Sequence, residues 1–142
     1  MGGNFSFDEQ GVFYQTATLY GYVKKDDVLV LYKVLMAVLN SRLCWWFMQN
    51  TGTVMSGGFY RYKPAYIKPF PIPSDMVLSK SSLEIENLVK AIEQKNENDT
   101  SALENQIDFL VYHLYGLTYD EVLIVDPETP ISREEYEAYK EE

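Results

Sequence analysis

The run Val28-Leu29-Val30-Leu31-Tyr32-Lys33-Val34-Leu35-Met36-Ala37-Val38-Leu39-Asn40-Ser41-Arg42-Leu43-Cys44-Trp45-Trp46-Phe47-Met48 decides the fold, because it is either a membrane span or the centre of a core. A helix that crosses a bilayer needs about 20 consecutive apolar residues. Here Lys33, Asn40, Ser41 and Arg42 interrupt the run, and no apolar stretch exceeds six residues. The pattern therefore predicts one long buried helix, capped by Asp26 or Asp27 and reaching about Met48, with Trp45 and Trp46 anchoring its end. No membrane partner is expected.

Upstream, Phe5-Ser6-Phe7, Val12-Phe13-Tyr14 and Leu19-Tyr20-Gly21-Tyr22-Val23 are short β-prone runs, punctuated by Gly11 and the Lys24–Asp27 cluster. Downstream, Gly52, Gly57 and Gly58 permit turns. In Phe59-Tyr60-Arg61-Tyr62-Lys63, a strand would put Phe59, Arg61 and Lys63 on one face and the tyrosines on the other. Pro64, Pro69, Pro71 and Pro73 keep the next segment extended and mark a boundary near residue 74. The expected fold class is α+β: a small, mostly antiparallel sheet from 4–25 and 52–73, packed on the long central helix.

Residues 75–142 read as helical. Ser81/Glu84, Ser101/Glu104, Thr118/Glu121 and Ser132/Glu135 each match the capping-box spacing. Ile85, Leu88, Val89 and Ile92 form one apolar stripe; Leu103, Ile107, Leu110, Val111 and Leu114 form another that stops at Gly116. An antiparallel helical hairpin is expected, followed by short helices at 118–125 and 132–140. The expected division is a recognition core over 1–74 and a helical part over 75–142, together one compact unit.

Apolar residues at 46% and aromatics at 15% exclude a disordered tail. The single cysteine, Cys44, excludes an internal disulfide, and Met1-Gly2-Gly3-Asn4 lacks the basic and apolar regions of a signal peptide. A cytoplasmic location is the expectation. The net charge of −9 argues against a polyanionic partner until its distribution is read. Residues 1–74 hold seven basic and four acidic residues, a balance of +3; residues 75–142 hold five and seventeen, a balance of −12. Only the front half suits DNA.

No phosphate-binding glycine pattern, metal-spaced Cys/His set or nucleophile–base pair is present, so neither a catalytic nor a metal site is expected. His113 reads as a structural histidine inside a helix, and Cys44 as a packing thiol. Asp75 with Glu93-Gln94-Lys95 mimics a nuclease carboxylate–E-x-K arrangement, yet Glu93 and Lys95 flank an apolar stripe where charge is simply solvated. What remains is a binding surface. Tyr60, Arg61, Tyr62 and Lys63 interleave aromatics with cations, which suits phosphate and base-edge contacts, although an amphipathic strand reads equally well. Lys24 and Lys25 are a weaker basic pair. Arg42 is either a DNA contact or an anchoring salt bridge.

The order of segments carries more than any one of them. Thr18-Leu19-Tyr20, then Leu39-Asn40-Ser41-Arg42-Leu43, then Gly57-Gly58-Phe59-Tyr60-Arg61-Tyr62, then Tyr66-Ile67-Lys68-Pro69-Phe70-Pro71-Ile72-Pro73 together resemble the TaqI-like C-terminal specificity domain of adenine-specific DNA methyltransferases and fused restriction-modification enzymes. Ile107–Thr118 is similar to a segment that often ends the family, which extends the resemblance over residues 5 to about 125.

The resemblance implies a non-catalytic module that recognises a target in double-stranded DNA. Its partner would be an N-terminal methyltransferase domain of the parent chain, which binds S-adenosylmethionine and methylates a flipped adenine. That domain's Asn/Asp-Pro-Pro-Tyr/Phe signature is missing, since no Pro-Pro occurs here, and no cofactor is expected in this chain. The family fixes no base-reading positions by motif, so the DNA-contacting candidates are the cationic and aromatic positions expected to be exposed: Arg61, Lys63, Tyr60 and Tyr62, then Lys24, Lys25 and Arg42. The alternative is a protein-interaction module whose acidic helices dock a partner subunit of a restriction-modification complex.

Overall fold

A computed structural model describes residues 5–12, 20–26, 30–73, 76, 79–95 and 99–140. Seven helices lie among them: α1 Tyr32–Asn40, α2 Arg42–Thr51, α3 Pro64–Ile67, α4 Lys80–Gln94, α5 Ser101–Leu114, α6 Tyr119–Val125 and α7 Arg133–Ala138. The expected sheet is overturned: among the described residues there is no strand, only an isolated antiparallel bridge between Val54 and Tyr60. The fold is helical. Phe13, Tyr14, Thr18 and Leu19, part of the expected strands, lie outside the described residues.

The single long helix is also corrected. It is two helices broken at Ser41, whose ψ of 161° is extended rather than helical. Ser41 ends one helix and starts the next. Its N–H and its hydroxyl both donate to the Val38 carbonyl, while its Oγ accepts the Cys44 N–H at 3.2 Å. An N-cap of this kind is worth about 1 kcal/mol. The apolar pattern hid the break because both helices bury a face: Val34, Ala37 and Val38 in α1, and Leu43, Cys44 and Met48 in α2. The expected Asp cap fails as well. Asp27 lies outside the described residues, and α1 begins after Leu31 with no side-chain cap.

The front segment is held by a side chain instead of a ladder. Phe5 N–H donates to Asn40 Oδ1 and Asn40 Nδ2 donates to the Phe5 carbonyl, both at 2.9 Å. This two-point clamp satisfies backbone groups that strand pairing would otherwise have satisfied. The proline-rich segment is likewise not a strand. Pro64 opens α3 at its first position, where a missing N–H has no consequence. Phe70 is buried between Phe47 of α2 and Tyr115, and Tyr115 Oη donates to the Pro71 carbonyl.

In the back half α4 and α5 pack along each other, α1 lies on α4 and α2 on α5. Val34, Val38, Cys44 and Met48 therefore share one core with Ile85, Val89, Val111 and Tyr112. Two capping boxes fall in a different register from the spacing. Ser79, not Ser81, caps α4, and Ser81 is buried inside the helix, hydrogen-bonded to Tyr139. Thr100, not Ser101, precedes α5. Thr118/Glu121 forms the full reciprocal box, and Ser132 caps α7 through the Glu135 N–H. At the end of α5, Gly116 takes φ of +64°, Leu117 N–H reaches the Tyr112 carbonyl and Gly116 N–H the His113 carbonyl. This is a Schellman stop, and an L side chain at 116 would strain it.

Candidate nucleic-acid interface

Four of the expected site residues, Tyr60, Arg61, Tyr62 and Lys63, lie on the returning arm of one hairpin. Gly57 and Gly58 turn the chain with φ of +89° and +79°, and Met55 N–H donates to the Phe59 carbonyl at 2.8 Å. The returning arm keeps the expected alternation. Tyr60 is half-buried edge-to-face against Trp45 of α2, ring centroids 5.3 Å apart. Tyr62 turns inward against Phe5, at 5.2 Å and 87°, and its hydroxyl is buried without a hydrogen-bond partner among the described residues. Burial raises that phenol's pKa. Phe59, 72% exposed, and Arg61 are open to solvent, while Lys63 is half-buried just before α3.

The loop at 20–26 lies beside this arm, because Tyr22 Oη donates to the Tyr62 carbonyl at 3.1 Å. Lys24 Nζ sits 5.4 Å from the Tyr32 ring centre, and Lys25 is exposed. The structure thus brings the loop that carries Lys24 and Lys25 next to the arm that carries Arg61 and Lys63. It does not bring Arg42 there. Arg42 points to the helical half, pairing with Asp108 at 3.3 Å and Asp126 at 3.1 Å, so the anchoring-salt-bridge alternative describes it.

The ion pairs sort the cations into two groups. Lys33 pairs with Glu93 and also feels Glu9 and Glu86, and Arg42 holds two carboxylates. Lys25, Arg61, Lys63 and Lys68 have no salt-bridge partner among the described residues. Lys68 is exposed and escaped the reading of spacing. Its signal was available: residues 28–74 contain Lys33, Arg42, Arg61, Lys63 and Lys68 and not one Asp or Glu. Once the helical half has taken Lys33 and Arg42, the cations left in that stretch lie on the hairpin and α3 side, where nothing anionic from the same stretch can compete with a phosphate.

Among the described residues Asp108 is the most perturbed carboxylate. Burial raises its pKa to about 6, against the lowering effects of the Arg42 backbone N–H and guanidinium, and Asp126 nearby raises it further. A cavity of about 730 Å³ opens beside this pair between α1, α2, α4 and α5; Glu93, Glu104 and Asp108 in its lining make it unsuited to phosphate. Cys44 is fully buried, its thiol pushed up to about 12, which leaves it an inert packing group. His113 is stacked on Tyr136 with ring centroids 4.0 Å apart, inside a cluster that includes Phe109 and Tyr139.

Among the described residues no three His, Cys, Asp or Glu side chains could hold a metal, and no helix is long and apolar enough to cross a membrane. In the nuclease-like triplet Glu93 is paired with Lys33, and Lys95 Nζ donates to the Asp99 carbonyl. Asp75 lies outside the described residues.

The front half, with its serine-broken helix pair, its Gly-Gly hairpin and its outward cations, is the part that finds a counterpart among known families. Residues 3–72 match the TaqI-like C-terminal specificity domain. The matched stretch contains α1, α2, α3, the hairpin and all seven expected contact residues. It ends before α4, so the likeness of residues 107–118 to the family lies outside the matched stretch. Those residues form α5, its Schellman stop and the Thr118 cap. No curated protein and no solved structure matches the chain.

Proposed function

We propose that this chain is the non-catalytic DNA target-recognition module of a restriction-modification adenine methyltransferase. Arg61, Lys63, Lys25 and Lys68 would grip the phosphates of double-stranded DNA, with Lys24 beside them and Tyr60 supporting the hairpin from behind. The observation that supports this reading is the sorting of cations: Lys33 and Arg42 pair with carboxylates of the back half, whereas Lys25, Arg61, Lys63 and Lys68 have no salt-bridge partner among the described residues. Phosphate contacts of this kind fix register and orientation, and base edges in the major groove then supply sequence preference.

A specificity module needs a catalytic partner. The methyl donor S-adenosylmethionine and the adenine pocket would belong to a separate methyltransferase domain of the parent chain, and the recognition module would set which adenine reaches that pocket. Arg42 and Tyr62 have no direct part in this scheme, since one is tied to Asp108 and Asp126 and the other has its hydroxyl buried. They position the surface. Hydrogen–deuterium exchange with and without a mixed-sequence 30-base-pair duplex, at low salt, tests the assignment. Protection is expected at 20–26 and 53–68 and not in α6 or α7; protection confined to the acidic helices would sink it.

A further inference from the structure

The hairpin tip has a feature that phosphate binding does not use. Phe59 is 72% exposed, with Val54 at 55% and Met55 at 39% beside it, so the hairpin that carries Arg61 ends in an apolar point. The ring is not dangling. A Cβ added to Gly57 would meet the Phe59 ring at 3.2 Å, so the ring lies over the bare glycine backbone, in a turn whose φ of +89° favours glycine. Behind the tip, Tyr60 is wedged on Trp45, and a Cβ at Gly52, the residue that ends α2, would meet the Tyr60 ring at 3.4 Å, so the hairpin packs closely on the end of α2.

An exposed aromatic on a backed turn is thereby held out from the surface, with Arg61 two residues away and no salt-bridge partner for it among the described residues. We propose that Phe59 is a stacking wedge that enters the DNA base stack at a distorted or opened step while Arg61 and Lys63 hold the flanking phosphates. This rests on the DNA-recognition reading above and adds to it a residue and a mode of contact. The physical case is desolvation matched to charge. A free phenyl ring gains by leaving water, base faces are the apolar surface that a duplex offers, and apolar wedges of this size are used by proteins that unstack DNA. A neighbouring protein domain would equally bury the ring, but the cations beside it favour a polyanion.

Insertion into an intact duplex must overcome base stacking, and insertion into a gap need not. Two 30-base-pair duplexes of the same mixed sequence, one intact and one with a single central abasic site, therefore separate stacking from phosphate contact. The 142-residue chain is expected to bind the abasic duplex roughly tenfold more tightly than the intact one, the scale of one aromatic–base stack. Phe59→Ala should abolish that preference and leave intact-duplex affinity and its salt dependence nearly unchanged, whereas Phe59→Tyr should retain the preference. Because Phe59 is exposed, the alanine variant is expected to melt with the parent chain. Binding to both duplexes with equal affinity, insensitive to Phe59→Ala, overturns the wedge and leaves the recognition reading standing. Loss of association with a methyltransferase domain in the Phe59→Ala variant, with its DNA preference intact, overturns it in favour of a protein contact. Failure to bind either duplex at low salt overturns both.

Discussion

Arg42 and Arg61 are the same side chain in opposite surroundings, and the contrast divides the molecule. Arg42, directly after the helix-breaking Ser41, reaches across to Asp108 of α5 and to Asp126 just after α6. Arg61, on the return arm of a Gly-Gly turn, faces solvent with no carboxylate partner among the described residues. The first joins α2 to the back helices; the second has no counter-charge among the described residues. A strongly acidic protein can thus keep cations without a carboxylate partner among its described residues, because the acid-free stretch 28–74 carries Arg61, Lys63 and Lys68. Net charge alone would have excluded the partner that the distribution favours.

The largest expected effect comes from breaking the Arg42 junction. Arg42→Ala leaves Asp108 and Asp126 buried near each other without their cation. Loss of a partner from a fully buried pair costs about 3–5 kcal/mol, and with Arg42 half-exposed about 2–3 kcal/mol is expected in chemical denaturation. DNA affinity measured on the folded fraction should change little. A variant of normal stability that loses DNA binding would place Arg42 in the interface and erase the distinction between the two arginines.

A smaller effect sharpens the same junction through pH. Asp108 titrates near 6 in the folded chain against 3.8 as the ordinary value, so between these the folded state holds the proton more firmly than the unfolded one. The contribution of this group is therefore full below about 4 and is lost as pH rises through about 6. Glu121 and Asp99, whose pKa values are lowered by hydrogen bonds, act in the opposite sense. Comparison with Asp108→Asn isolates the term: stability of the parent chain minus that of the variant should fall as pH rises from 4 to 6. A flat difference would mean that Asp108 is not buried as described.

Much of the helical half was legible because its signals are local. The Ile85–Ile92 stripe, the Thr118/Glu121 box and the Gly116 stop are each read within one or two turns of chain. Capping register was less so: Ser79-Lys80-Ser81-Ser82 offers several serines, and spacing to Glu84 selects the wrong one. The front half was misread where tertiary contact overrides propensity. Aromatic, β-prone runs at 5–7 and 20–23 gain their order from Asn40 and Tyr62, distant in sequence, and not from strand partners. In the same way Ser41 lies within continuous apolar periodicity, and only its two-sided hydrogen bonding shows the break. For the candidate interface, composition marked an acid-free cationic segment, and the packing then separated its members: Arg61 and Lys25 are exposed, Lys63 is half-buried, Tyr62 turns inward, and Arg42 pairs with the helical half.

The central claim is that the hairpin-side cations bind duplex phosphates, and its most direct measurement is the salt dependence of affinity for a mixed-sequence duplex. In B-DNA each neutralised phosphate contributes about 0.9 to the slope of log affinity against log salt. Replacing Arg61 and Lys63 together by alanine should lower the slope by about 2 and weaken binding roughly tenfold, with stability altered by less than about 0.5 kcal/mol. An unchanged slope in the double variant, alongside measurable binding by the parent chain, would contradict the account.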